Sequence, residues 1–390
     1  MKKITLLLLI MFFTIGCSSK HKIDVNVVQI DKERILASAN QYLIEEPITI
    51  TEFTCDRSLG GIHDFYSEGD YWWPDPENPV GRPYIRRDGM SNPDNFTEHR
   101  EVLRRMSIQV ANLTAAYKIT KDVNYAQKSI AHLQAWFVNS DTKMNPNMNF
   151  AQAIKGICPG RGVGLIDGIH LVEPARCIEI LSKNKMIDDS DFKAMKLWFA
   201  DFLEWMTTHE YGIDERERKN NHGTCWVMQV AEFSKLIGNE KLFDYCKNRY
   251  KTVLLPNQLA SDGSFPLELS RTKPYGYSLF NLDMMAMVCH ILSTEKDNLW
   301  NYKMPEKYVG MEEAMAFIFP FIYDKSKWPY PPDVMYWDEW PVRHPALLCA
   351  GLAYGNQEYI DLWKTLKPLP ESDEGLRNFP IREPVLWIKK

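Results

Sequence analysis

From Glu98 onward, apolar residues recur at helical spacing. In "EVLRRMSIQVANLTAAYKI" they fall at Leu103, Met106, Val110, Leu113 and Tyr117, one stripe of a 3.6-residue period. "VNYAQKSIAHLQAWFVN" follows at once, with Ala126, Ile130, Leu133 and Phe137 on its stripe. The pattern of helix, short turn and helix returns over 171–184 and 190–209. It returns again over 222–237 and 240–255, then over 277–294 and 310–323, and a last helix is predicted near 345–366. Strand-type alternation is scarce. Tandem antiparallel helix pairs over this length predict an all-α fold, either an open solenoid or a closed ring. No strict repeat supports the open array. The expected architecture is therefore an α/α toroid: an incomplete barrel of antiparallel helix pairs, with long loops over a cleft or tunnel.

Residues 44–98 break the pattern. "GDYWWPDPENPVGRPYIRRDGMSNPDNF" is dense in Pro, Gly, Asp and aromatics, and is long enough for a functional loop. Trp72, Trp73, Tyr84, Arg86 and Arg87 are its candidates for holding substrate. The competing reading is that the Arg pair is solvated and the Trp pair covers the core. No linker divides the chain beyond this loop, so 44–390 is expected to be one domain.

The beginning of the chain has a different character. "MKK" is basic, "ITLLLLIMFFTIG" is a continuous apolar run, and "CSSKHK" follows. This is the layout of a bacterial export signal, residues 1–16, that ends at a cysteine after a small residue. Cys17 is the expected lipidation site, and 17–43 an anchor, linker and first helix. With no acidic cluster after Cys17, a periplasm-facing anchor is expected rather than a surface one. No later stretch is apolar for long enough to span a bilayer.

A net charge of −5 argues against a nucleic-acid partner. The 12 Trp and 18 Tyr suit a carbohydrate site, although a large helical core would use them too. After Cys17 the cysteines at 55, 158, 177, 225, 246, 289 and 349 are odd in number and irregular in spacing. They match neither a disulfide framework nor a metal site. No metal and no cofactor are expected, and the chain is expected to be monomeric.

Three stretches carry unusual chemistry. "MNPNMNFAQAIKGICPGRGVGLID" holds Asn145, Asn147, Asn149, Gln152 and Arg161; its amides suit sugar hydroxyls and its Arg a carboxylate. Turn chemistry would explain the same Asn and Gly content. In "NNHGTCW", Asn221 is the expected helix cap and His222 the first-turn residue, with Trp226 and Gln229 on the same face. In "DGSFPLELSRTKPYGYSLFNLDMMAMV", Arg271 precedes a Pro- and Gly-containing loop. Tyr277 falls on the inward face of the helix that follows, and Tyr275 in the loop. Either Tyr has the competing reading of a satisfied core residue.

Asn, His, Arg and Tyr together are the set needed to break a polyuronate by β-elimination. The C5 proton beside a carboxylate is hardly acidic while that carboxylate keeps its charge. Prearranged donors must stabilise the enolate-like dianion, a base must take the proton, and an acid must protonate the leaving oxygen. Tyr can do both when the two positions share a side of the ring. A free Tyr ionises only near pH ~10, so Arg271 is the expected cation that favours tyrosinate.

"YWWPDP…GRPYIRRDG…NP", "MNPNMNFAQAIKG…GRGVGLID", "NNHGTCW" and "DGSFPLELSRTKPYGYSLFNL" resemble the alginate lyase family of α/α-toroid polysaccharide lyases. The likeness is greatest to the Bacteroides branch grouped as polysaccharide lyase family 38. It runs from about residue 50 to 290; the C-terminal hundred residues match less distinctly. The resemblance implies that Asn221 helps neutralise the substrate carboxylate, and that His222 neutralises it or acts as base for the opposite C5 epimer. It implies that Arg271 is the Arg before the catalytic Tyr, and Tyr277 that Tyr. Arg-to-Tyr spacing differs by a residue among relatives, which keeps Tyr275 as the alternative. Further substrate-binding candidates are Glu268, placed to orient Arg271 or His222, and Trp340 and Arg343 with His344 in "YWDEWPVRHPA".

The expected activity is cleavage of a 1,4-linked polyuronate, alginate first and glucuronan next, by metal-independent β-elimination. The expected partners are that acidic polysaccharide and a membrane reached only through the lipid. A glycoside hydrolase is the alternative enzyme; it needs two opposed carboxylates, for which Asp167, Asp262 and Glu268 are candidates. A lipid-anchored glycan-binding protein without catalysis is the non-enzymatic alternative.

Overall fold

The computed structural model describes Ile23 and residues 25–388. The expected signal peptide, residues 1–16, and Cys17 lie outside the described residues. No described helix is long and apolar enough to cross a membrane.

The helices form two layers. In chain order they are α1 (Val27–Tyr42), α2 (Glu98–Thr120), α3 (Val123–Phe137), α4 (Val172–Lys183), α5 (Asp189–Thr208), α6 (Glu210–Arg216), α7 (Asn221–Ile237) and α8 (Glu240–Arg249). Next come α9 (Leu255–Gln258), α10 (Pro266–Leu269), α11 (Pro274–Leu292), α12 (Met311–Tyr323), α13 (Pro345–Tyr354), α14 (Gln357–Thr365), α15 (Asp373–Arg377) and α16 (Pro384–Trp387). The inner layer runs α2, α4, α7, α11, α13, each packed on the next, and α3, α5, α8, α12 and α14 back it from outside. This is the α/α toroid that the helix pairs predict.

Composition decides which helix goes where. α7 and α11 are buried on almost every side, with polar residues such as Gln229, Glu232, Asn281 and Asp283 buried along with the apolar ones, whereas α8 buries only Cys246 and Arg249. The chain ends tie the ring together. Arg34 Nη2 meets Glu383 Oε2 at 2.7 Å, Asn112 Nδ2 donates to Glu383 Oε1 at 3.1 Å, and α16 packs on α1, α2 and α4. Arg343, expected on the substrate, belongs to this clasp. It meets Asp31 at 2.9 Å, donates to the carbonyls of Leu366 and Lys364, and lies over the Trp363 ring.

Three helix boundaries differ from expectation. The single helix predicted near 345–366 is two, because Gly355 takes φ 70° and Asn356 then caps α14 through the amides of Glu358 and Tyr359. The helix predicted over 240–255 ends as an α-helix at Arg249 and continues as a π turn over Tyr250–Leu254. α11 begins at Pro274, three residues early, with Pro in the first turn where its missing N–H costs nothing.

The irregular stretches also pair in short strands. β1 (Tyr66–Glu68) lies parallel to β4 (Phe150–Ala153), and β2 (Trp72–Trp73) antiparallel to β3 (Ile85–Arg86). The loop over 44–98 is thereby fastened to the one over 144–167, above the inner ends of α7 and α11.

Candidate active site

The first turns of α7 and α11 open on one cleft of about 570 Å³. Asn221, His222, Arg271 and Tyr277 all line it, with Trp72, Arg86, Gln152 and Arg161 from the two fastened loops. Eight of the sequence candidates thus meet in one place.

Asn221 does not cap α7 as expected. Asn220 occupies the cap position without a side-chain bond, and Asn221 is the first helical residue. The orphan amide is served instead by Glu268 of α10, whose Oε1 accepts from the Asn221 backbone N–H at 2.7 Å. Its Oε2 accepts from Asn221 Nδ2, also at 2.7 Å. A buried carboxylate at a helix N-terminus answers the helix dipole. Burial pushes the Glu268 carboxyl up, and the two Asn221 bonds and Arg271 only partly pull it back. Glu268 is therefore not in contact with the cleft but holds a residue that is.

His222 is fixed in a similar way. Its Nδ1 lies 2.7 Å from Oε1 of the fully buried Glu215 of α6. An ionised carboxylate only accepts, so Nδ1 carries the hydrogen and Nε2 is the nitrogen left to serve the cleft.

Arg271 grips Asp88 at two points, Nε to Oδ2 at 3.0 Å and Nη2 to Oδ1 at 2.8 Å. Thr272 Oγ1 donates to the same Asp88 Oδ2 at 3.0 Å. Burial would raise the Asp88 carboxyl, but Arg271, Arg86 and Thr272 outweigh it and hold it at about 2. The same Nη2 also donates to the Tyr277 hydroxyl at 3.3 Å, and Cζ lies 4.4 Å from the ring centroid.

The Tyr277 hydroxyl donates to that of Tyr71 at 2.8 Å. Burial pushes the Tyr277 phenol up; Lys273, Arg271 and the Tyr71 bond pull it back without cancelling the rise. Arg271 is thus where the sequence predicts it, but desolvation dominates, and Tyr277 rests as a phenol at neutral pH. Tyr275 is not in a loop. It sits in the first turn of α11 with its ring fully buried against Trp328 and Trp337, and its hydroxyl donates to the Phe321 carbonyl at 3.0 Å.

On the opposite wall, Arg161 lies over the Trp72 ring and bonds Gln152 twice, Nε to the carbonyl at 2.9 Å and Nη2 to Oε1 at 2.8 Å. Gly69 makes room for this stack, since a Cβ there would lie 2.7 Å from Trp72 and 2.9 Å from Arg161. Arg86 reaches the cleft beside its partner Asp88.

The remaining candidates lie elsewhere. Trp73 donates to the Met90 carbonyl and carries Arg87 over its ring; Tyr84 lies under Lys155. Asn149 accepts from Trp205 Nε1 at 2.9 Å. Trp340 packs behind Tyr277, close to Gly276, and His344 is bonded to Asp283. The carboxylates needed by a hydrolase do not oppose one another across the cleft. Asp167 is buried with Ser67 and Arg100, Asp262 folds onto the Ser264 amide, and Glu268 is taken by Asn221. Asp70, which does line the cleft, is held by Arg100 and Arg377.

Several lining residues are not among the sequence candidates. Tyr71 adjoins Trp72, and Arg218 and Lys219 immediately precede the Asn-Asn-His stretch in the run "DERERK". Arg377 and Asn378 come from the C-terminal part, where the sequence offers no signal. The lining holds Arg86, Arg161, Arg218, Lys219, Arg271 and Arg377 against one carboxylate, Asp70, in a chain whose net charge is −5. Such a cleft draws in a polyanion. Among the described residues, no group of three or more His, Cys, Asp or Glu is arranged to hold a metal ion.

A family model described as alginate lyase matches residues 51–328. The fold superimposes on a crystal structure of an alginate lyase from Bacteroides ovatus with a TM-score of 0.79 and 32% identity, covering 93% of this chain and 95% of that one. It also superimposes on alginate lyase A1-III from Sphingomonas species A1, with a TM-score of 0.55 and 14% identity, covering 91% and 95% of the two chains. The second likeness shows a shared fold. A comparison with curated proteins returns no match.

Proposed function

The chain belongs to the alginate lyase family, and on that premise we propose that this polysaccharide lyase cleaves alginate by β-elimination, with Tyr277 transferring the proton. One observation supports this above the others: Asn221, His222, Arg271 and Tyr277 line a single cleft in which cationic side chains outnumber the one carboxylate, Asp70.

The chemistry follows from the geometry. Arg271 and Asn221 donate to the carboxylate on C5 and spread the charge that develops there, and His222 joins them in its imidazolium form, in which Nε2 also carries a hydrogen. Tyr277 takes the C5 proton as the phenolate, reached from its resting phenol by loss of a proton to solvent; Arg271, 3.3 Å from its oxygen, favours that form against burial. The C4=C5 double bond forms as the C4–O4 bond breaks, and Tyr277 returns the proton to the departing oxygen. Trp72 and Arg161 offer an aromatic face and a cation to neighbouring sugars. For guluronate, whose C5 proton is on the opposite face, His222 through Nε2 is the base.

The test is ultraviolet absorbance of the conjugated unsaturated uronate, followed on polymannuronate, polyguluronate, glucuronan, hyaluronan and pectate. A rise on the alginate polymers is expected. A rise on glucuronan alone would replace the substrate and keep the mechanism; chain shortening without absorbance would remove the elimination reading. The 32% identity to the Bacteroides ovatus enzyme favours the Bacteroides-type branch. We also propose export with a lipid on Cys17 facing the periplasm, on the strength of the N-terminal motif. Cys17→Ser should then release the protein from the membrane fraction.

A further inference from the structure

Lys273 is an unusual neighbour for a proton-transfer tyrosine. It is the residue before α11, and the Tyr277 amide donates to its carbonyl at 3.0 Å. Its side chain is only 6% exposed. The ammonium is surrounded by aromatic rings, 5.1 Å from the centroid of Tyr71, 5.5 Å from that of Tyr277 and 5.2 Å from that of Tyr336. Its carboxylate partner is Glu374 of α15, Nζ to Oε1 at 2.9 Å. Glu374 in turn meets Arg377 at 3.1 Å through Oε2. Lys273 and Glu374 line a small chamber behind Tyr277, together with Asp333 and Tyr336.

A buried ammonium is costly unless it is paired and used. We propose that Lys273, set by Glu374, is a positioning residue for the elimination: together with Arg271 it stabilises the phenolate of Tyr277. The inference rests on the reading of Tyr277 as the proton-transfer group. Burial opposes the charge on Lys273, but Glu374 and Tyr277 more than restore it, so the cation is present at working pH.

The other groups around Tyr277 do not supply the same effect. Tyr71 is a neutral hydroxyl, pushed well up by burial. Glu374 carries the opposite sign and works against the phenolate. Asp333 is occupied by the amides of Tyr275 and Gly276, and Asp88 by Arg271. Tyr336 faces Lys273 from the segment before α13. Among the described residues, Arg271 and Lys273 are the two cations in ring contact with Tyr277.

The experiment is titration of the Tyr277 ring carbon that bears oxygen, by NMR of protein with labelled tyrosine, assigned by its loss in Tyr277→Phe. No substrate is present. A cation at this range moves a phenol by about 1–3 pH units, so Lys273→Met should shift the titration upward by that amount and Lys273→Arg should restore it. The ascending limb of kcat against pH should move the same way, with KM changed less than kcat. An unmoved titration in folded Lys273→Met, with only a loss of stability, would reduce Lys273 to a structural ion pair and overturn the proposal. If the Met variant does not fold, Lys273→Gln, which can still bond Glu374, gives the same readout. A wild-type protein that yields no unsaturated product on any polyuronate overturns the reading on which the inference rests, whatever the titration shows.

Discussion

Glu268 holds Asn221 at two points, the backbone amide and the side-chain amide, both at 2.7 Å. The carboxylate stands in for a helix cap and orients the carboxamide in one stroke. Because Oε2 takes one N–H of Nδ2, the second N–H of that amide is the donor left for the cleft. Glu268→Gln keeps the volume but places a donor against a donor. The expected result is a loss of about 10²-fold in kcat, the scale of a misplaced positioning group. Steady-state rates on polymannuronate check it, with circular dichroism to show an intact fold. Asn221→Ala in the same background should add little, since the two residues act as one unit.

Tyr277→Phe removes one hydroxyl from the cleft. Its expected cost is at least ~10³-fold in turnover, within the range of lost proton transfer. Tyr275→Phe removes a hydroxyl from the core, where it meets the Phe321 carbonyl. That change should leave turnover within a few-fold and cost about 1 kcal/mol of stability. Turnover and melting measured on both variants separate the two tyrosines, and the opposite pattern would move the proton-transfer role to Tyr275.

The toroid and its catalytic candidates were legible because they rest on local signals. Helical periodicity marks α2, α7 and α11, and the Asn-Asn-His and Arg–Tyr stretches stand at helix starts. What was not legible depends on contacts made far along the chain. Glu268 is surface or core according to whether Asn221 needs a cap, and 47 residues separate them. Arg343 meets Asp31 across 312 residues, so its local setting beside Trp340 misleads. Trp73, Arg87 and Asn149 are close in sequence to cleft residues but point elsewhere. The break at Gly355–Asn356 was readable, since a Gly followed by Asn is a helix stop and a new cap. Lys273 was readable too: it lies four residues before Tyr277, within about one helical turn.

Asp88 links the 44–98 loop to Arg271, and this link has a pH signature. Its carboxyl is held at about 2 in the folded protein, below the ordinary 3.8. A depressed carboxyl contributes stability that is fully present above its unfolded value, near pH ~4, and is lost as pH falls towards 2. The contribution is about 2 kcal/mol. Asp88→Asn should therefore destabilise the protein by up to that amount at neutral pH, and the gap to wild type should narrow steadily below pH ~4. Denaturant melts at a series of pH values check it. A gap that does not change with pH would mean that Asp88 contributes by packing and hydrogen bonding alone.

The cationic cleft predicts that substrate capture responds to salt. Exposed charges are screened over roughly 10 Å at 0.1 M salt, so KM should rise with ionic strength while kcat changes little. Arg161→Ala should raise KM and flatten that dependence. Arg161 and Lys219 have no carboxylate partner among the described residues, unlike Arg86, Arg218, Arg271 and Arg377. A KM insensitive to salt would mean that sugar hydroxyls, not charge, dominate capture.

His222 has two possible duties, and polymer composition separates them. As an imidazolium, donating to the carboxylate through Nε2–H, it serves every uronate alike. As a base through Nε2 it serves only the epimer whose C5 proton faces away from Tyr277. Glu215, buried and 2.7 Å from Nδ1, fixes the tautomer that leaves Nε2 able to accept. His222→Ala should therefore cost more on polyguluronate than on polymannuronate, by about 10-fold or more if proton transfer is lost on one and charge stabilisation on both. Glu215→Gln should follow the same order with smaller losses, because it releases the tautomer without removing the ring. Equal losses on both polymers would assign His222 to charge neutralisation alone and leave Tyr277 as the base for both epimers.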